Sequence, residues 1–163
     1  MVQTEARQPQ SETATQWSLV LVRLALGIPM LIGGAGKVFA IGPKPMGISG
    51  FANFLASLGV PLPIAAAWGV GLIELVGGFL LLTGLAVRVT SAVIAIDMFV
   101  ATVLYHLPNG YPAASGGIEL TLALTLIAAA LALSGPGTLS VERTLFDQEG
   151  PSPNSSQSRT SDR

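Results

Sequence analysis

Glu74 stands near the middle of a 22-residue apolar stretch, Ile64 to Leu85, inside the string Gly-Leu-Ile-Glu-Leu-Val-Gly-Gly. A carboxylate at bilayer depth costs at least about 2.5–3.5 kcal/mol on insertion scales, so it needs a partner or a task. Arg23, Lys37, Asp97, His106 and Glu119 lie within or at the ends of other apolar stretches. Carboxylates and an imidazole can relay protons, and guanidinium or ammonium groups beside them donate hydrogen bonds. These six residues are the candidate polar interior and ligand-contacting set. They equally suit a structural role, in which opposite charges pair and fix helix register. No self-contained catalytic motif accompanies them.

Several chemistries drop out on composition. The 163 residues contain no cysteine, which removes thiolate catalysis, disulfide exchange, thiolate-held clusters and c-type haem attachment. His106 is the single histidine, beside Pro108, and no HxxxH, ExxH or cysteine pair supports it, so no metal is expected. Met30, Met46 and Met98 read as packing residues. Net charge is −1 with no basic block, so nucleic acid is excluded as a partner. Hydrophobic residues make up 50% and charged residues 10%, far below the roughly 25% charged residues of an average soluble protein. The expected partner is the lipid bilayer.

Positioning these side chains requires membrane-spanning helices of about 20 residues, which match a hydrocarbon core of about 30 Å. Four segments qualify: Trp17–Gly36, Ile64–Leu85, Val89–Leu107 and Gly116–Ser134. The predicted fold class is all-α, an integral membrane four-helix bundle with a short interfacial helix in the first outer loop. The tail 1–16 is polar and lacks a basic n-region or cleavage site, so the first stretch is expected to stay as a span. The transmembrane domain covers 17–140. The tail 141–163 follows, with a short helix expected over Thr138–Phe146 and disorder from about Gly150. In the outer loop, Phe51, Phe54, Leu55 and Leu58 follow Ser49 at helical spacing, which suits an interfacial helix or a lid over the bundle's mouth. Pro29 is expected to kink the first span, and Trp17 and Tyr105 to anchor at interfaces. Counting Lys and Arg puts Arg7, Arg23, Arg88, Arg143, Arg159 and Arg163 on one side and Lys37 and Lys44 on the other, which predicts both termini cytoplasmic.

Helical spacing then sorts the faces. Arg23, Gly27, Met30, Gly34 and Lys37 share one face of the first span, and Ala67, Gly71, Glu74 and Gly78 share one face of the second. Thr90, Asp97 and Ala101 align on the third, and Gly116, Glu119, Ala123 and Ala130 on the fourth. Small residues beside the charges let helices approach closely, whether within one chain or between copies, so self-association stays open. Depth along each span predicts Arg23 bridging toward Glu74 and Asp97. It predicts a second, outer cluster of Lys37 with Glu119, joined by His106 as a hydrogen-bond partner or proton acceptor.

The strings RLALGIPMLIGGAGK (Arg23–Lys37), GVGLIELVGGFLLLTGL (Gly69–Leu85) with Arg88, AIDMFVATVLYH (Ala95–His106), GGIEL (Gly116–Leu120) and SGPGTLS (Ser134–Ser140) resemble the DoxX family of small bacterial four-span membrane proteins. The resemblance implies an inner-membrane protein of a class that includes thiosulfate–quinone oxidoreductase subunits and partners of detoxification complexes. It implies a membrane subunit or anchor of a quinone-linked redox system, with a soluble or membrane oxidoreductase as partner. Quinone would be the diffusible cofactor, with no covalent cofactor, and Arg23, Glu74 and His106 its polar contacts. The chain carries no appended soluble domain and no cysteine, which sets it apart from the sulfur-oxidising subunits. The competing expectation is a non-enzymatic membrane scaffold or small permeation element.

Overall fold

The computed structural model describes residues 9–137, and side chains from Trp17 onward. Five α-helices account for most of them: α1 (Pro9–Phe39), α2 (Gly47–Ser57), α3 (Pro63–Thr83), α4 (Val87–Ala101) and α5 (Glu119–Ser134). No strand occurs among the described residues. Three helical segments are long and apolar enough to cross a membrane: Trp17–Phe39, Pro63–Thr83 and Val87–Asn109. The apolar α5 has 16 residues, about 24 Å at 1.5 Å per residue. Large apolar side chains such as Leu21, Phe79, Ile96 and Leu126 face outward, while Arg23, Glu74, Thr90, Ser91, Thr102 and Thr121 are buried. That inversion of the soluble pattern is what lipid as solvent dictates. The chain is an all-α membrane bundle.

Element boundaries depart from the spans expected above for local reasons. α1 starts at Pro9, so the helix runs back into the polar tail, and it continues through Pro29 to Phe39. α3 ends at Thr83 because Gly84 adopts φ 75° and the Leu85 N–H returns to the Leu80 carbonyl at 2.9 Å, a capping turn that suits glycine. α4 gives way at Thr102 to a wider π-type turn through His106, where the Thr102 hydroxyl donates to the Met98 carbonyl at 2.7 Å. The fourth apolar segment becomes helical at Glu119 rather than Gly116. The N–H groups of Gly117, Ile118 and Glu119 are taken by Pro112, Gly110 and Tyr111 carbonyls across a reverse turn. The short helix expected over 138–146 and the tail from 150 lie outside the described residues.

Close helix approach sets the height of every side chain. A Cβ on Gly78 would lie 2.5 Å from the Leu31 nitrogen and 2.8 Å from its Cα, and Gly34 meets the backbone of Leu75 in the same way. α1 and α3 therefore run antiparallel, with Leu31 level with Gly78 and Gly34 level with Leu75. Gly77 meets Ile94 and Thr90, so α4 runs antiparallel to α3, with Ile94 beside Gly77. Beneath these contacts a core of Leu26, Met30, Leu81, Val87, Ile94, Leu124 and Leu131 joins all four long helices. A second cluster seats Phe51 and Ala52 of α2 on Ala67 of α3. Thus α2 packs over the ends of α1 and α3, as a lid over the bundle's mouth does.

Candidate functional site

The register brings three charges to one height. Lys37, in the last turn of α1, extends its ammonium to Glu74 Oε2 in a charge-assisted hydrogen bond and ion pair. The Glu74 side chain is 5% exposed. Gly33 makes this possible, since a Cβ there would stand 3.0 Å from Glu74 Oε2. The lid completes the enclosure: the Phe51 ring lies 5.1 Å from the Lys37 ammonium, within cation–π range. Because Ile94 sits level with Gly77, one further turn in opposite chain directions sets Asp97 level with Glu74. The charges of Glu74 and Lys37 are both felt at Asp97. Asp97 Oδ2 is buried without a hydrogen-bond partner, and Asp97 joins no ion pair among the described residues.

Glu74 and Asp97 lie near the middle of their helical spans. Glu74 lies 11 residues after Pro63 and 9 before Thr83; Asp97 lies 10 after Val87 and 12 before Asn109. Beside them, a lateral groove of about 370 Å³ runs between α3 and α4, lined by Ile73, Val76, Gly77, Thr90, Val93 and Ile94 among others. On α4 the lining residues 90, 93 and 94 form a stripe that position 97 continues at helical spacing. Asp97 thus lies one helical turn beyond Ile94, the last α4 residue of the groove.

The expected partnerships are rearranged. Arg23 does not bridge to Glu74 or Asp97: its Nη1 donates to the Pro136 carbonyl at 2.8 Å, and its Nε is buried without a partner. Gly27 already faces Gly78 and Leu82, so Arg23, one turn further down, lies at the level where α3 has ended. Lys37 does not meet Glu119. Glu119 Oε2 instead accepts the Ala113 N–H at 2.9 Å and steadies the turn before α5. His106 donates through Nδ1–H to the Gly116 carbonyl at 2.6 Å, with Tyr105 edge-on to its ring at 4.8 Å. Tyr105 in turn packs edge-on against Phe54 of the lid at 4.8 Å. Span ends do not lie at equal heights in this bundle, since Gly34 is level with Leu75 and Leu31 with Gly78. α1 stops short, the lid covers it, and Lys37 is drawn down to the carboxylates. A double-mutant cycle of Lys37→Met and Glu119→Gln, read by thermal unfolding, is expected to return additivity within about 0.5 kcal/mol.

Three residues entered the site that spacing alone had not assigned to it: Gly33 as space for a carboxylate, Phe51 as a floor for an ammonium, and Ile94 as the register mark for Asp97. Only the run Gly33-Gly34-Ala35-Gly36 ahead of Lys37 signalled the first.

Fold and centre together define a helical-bundle membrane protein with a charged group of three at one height. The DoxX family model matches residues 18–107, more than half of the chain, and the protein belongs to the DoxX family. A Bacillus subtilis (strain 168) protein named "Putative oxidoreductase CatD" is 29% identical over 127 residues, covering 78% of this chain and 86% of that relative. No solved structure matches the chain.

Proposed function

We propose that this protein is a membrane subunit or anchor of a quinone-linked redox system, with the quinone headgroup received at Lys37, Glu74 and Asp97. The observation that carries this reading is an unpartnered Asp97 carboxylate level with the Lys37–Glu74 pair, one helical turn beyond an apolar groove. A quinone needs an apolar channel for its tail, polar contacts for its head and ionisable groups nearby to exchange protons with the electrons. Lys37 and Asp97 replace Arg23 and His106 as contacts, because they share the height of Glu74, whereas Arg23 and His106 bond the Pro136 and Gly116 carbonyls elsewhere in the bundle. Electrons would come from or go to a soluble or membrane oxidoreductase partner, in keeping with the name of the Bacillus relative. A pure scaffold would account for the ion pair but leaves the lone carboxylate without a role.

The test is quinone retention and turnover. Protein extracted from its native membrane is expected to carry isoprenoid quinone. Glu74→Gln is expected to lower quinone-dependent turnover of the reconstituted complex at least about tenfold, or about 1.4 kcal/mol, with assembly intact. Repeated absence of bound quinone with unchanged turnover would refute the assignment.

The location proposed is the bacterial inner membrane with both termini cytoplasmic, from the distribution of Lys and Arg. The chain has no cysteine, so a single introduced thiol reports sidedness. Asn109→Cys, on an exposed turn, is expected to react with an impermeant maleimide on intact spheroplasts. Ala86→Cys, on the turn before α4, should react only after lysis, and the reverse pattern would invert the topology.

A further inference from the structure

We propose that the end of the bundle where α3 turns into α4 holds the phosphate of an anionic phospholipid, between Arg88, Arg23 and the first turn of α4. This site is separate from the Lys37–Glu74–Asp97 centre and does not depend on the quinone reading. The helix register places its parts. Gly27 of α1 faces Leu82 of α3, so Arg23, one turn on, is level with the turn that joins α3 to α4. At that same end α5 finishes at Ser134. Arg23 donates through Nη1 to the Pro136 carbonyl at 2.8 Å. Arg88 folds over the preceding residue, its Nε 2.7 Å from where a Cβ on Gly135 would stand. Two guanidiniums are thus held against one turn of chain.

Both carry more donors than the protein occupies. Arg23 is 5% exposed, and its Nε–H is buried without a partner. Arg88 is exposed and joins no hydrogen bond or ion pair among the described residues. The N-terminus of α4 adds to them. No side chain caps it, and its Thr90 N–H bonds the Ala86 carbonyl at 3.0 Å, so the N–H groups of Val87, Arg88 and Val89 point out of the positive end of the helix. The carboxylates with described side chains leave this end unneutralised: Glu74 pairs with Lys37, Glu119 accepts the Ala113 N–H, and Asp97 lies more than two turns along α4 from Arg88. Guanidinium and helix-end N–H groups together are the donor set that a phosphate takes. The rim selects a lipid as its carrier. Val89 and Leu133, in the adjoining turns of α4 and α5, are apolar and 69% and 83% exposed. A phosphate here stands where lipid-facing surface begins, so acyl chains can continue along the helices, whereas a soluble phosphate has no use for that rim.

The experiment counts phospholipid retained by the full chain. Protein in detergent is equilibrated with equal amounts of anionic phosphatidylglycerol and zwitterionic phosphatidylcholine, and bound lipid is read by mass spectrometry of the intact complex. Phosphatidylglycerol is expected to be retained at least about tenfold over phosphatidylcholine, the scale of two arginines near a lipid phosphate. Arg23→Gln and Arg88→Gln are each expected to lower that preference about fivefold. The second, at an exposed position, leaves the packing in place. Lys44→Gln, exposed at the opposite end of the bundle, should leave the preference unchanged. Equal retention of the two lipids by the unmodified protein would overturn the site. So would an equal loss in Arg88→Gln and Lys44→Gln, which would reduce the effect to overall charge. Displacement by excess inorganic phosphate as readily as by excess phosphatidylglycerol would overturn the lipid as carrier. A preference that emerges only in Glu142→Gln would give the place to the chain's own tail and overturn the proposal.

Discussion

Lys37→Met is expected to destabilise the protein by about 3–5 kcal/mol, because it strands the buried Glu74 carboxylate without its ion-pair partner. Glu74 is 5% exposed and its ion pair with Lys37 is the one salt bridge among the described residues. The pair itself contributes far less than that figure, since desolvation of both groups offsets most of their attraction. A double variant, Lys37→Met with Glu74→Met, should therefore recover most of the loss. Thermal unfolding in detergent of wild type, both single variants and the double variant measures the difference. A double variant as unstable as the sum of the singles would mean that the two residues act independently, contrary to their contact.

Gly78→Ala is expected to cost about 2–4 kcal/mol, the upper range for overpacking, because what it meets is backbone. The added Cβ would sit 2.5 Å from the Leu31 nitrogen, 2.8 Å from its Cα and 2.9 Å from the Gly27 carbonyl oxygen. A side chain could turn aside, but here α1 and α3 must separate, loosening the packing that sets the height of Lys37 against Glu74. Gly69→Ala, on the same helix with nothing within 4 Å of its new Cβ, should stay within about 0.5 kcal/mol of wild type. Equal effects of the two substitutions would show that helix propensity, not the α1–α3 contact, governs both.

Three of the four expected spans were legible because apolar stretches of about 20 residues have few alternatives to crossing a membrane, whereas the fourth stretch forms the shorter α5. The inward direction of Glu74 was legible too, since Gly71 and Gly78 share its face. What spacing along single helices could not supply was the offset between helices. Spacing along α1 places Lys37 in its last turn, at the outer surface with Glu119. It meets Glu74 instead because Gly34 and Gly78 fix the α1–α3 register and the α2 lid occupies the space above. Depth alone pairs Arg23 with the carboxylates, and nothing local announces that the carbonyl of Pro136, 113 residues away, is its acceptor. Depth alone makes Asp97 one of two acids near an arginine. Its isolation follows only from the antiparallel pairing of α3 with α4.

Photolabelling tests the central claim most directly. An azido-substituted quinone activated in native membranes, followed by peptide mapping, is predicted to label α3 and α4 around positions 72–80 and 89–97, with labelling suppressed by excess unmodified quinol. Label confined to α5 or to the turn around His106, or label that excess quinol does not displace, would contradict a quinone site at the Lys37–Glu74–Asp97 seam.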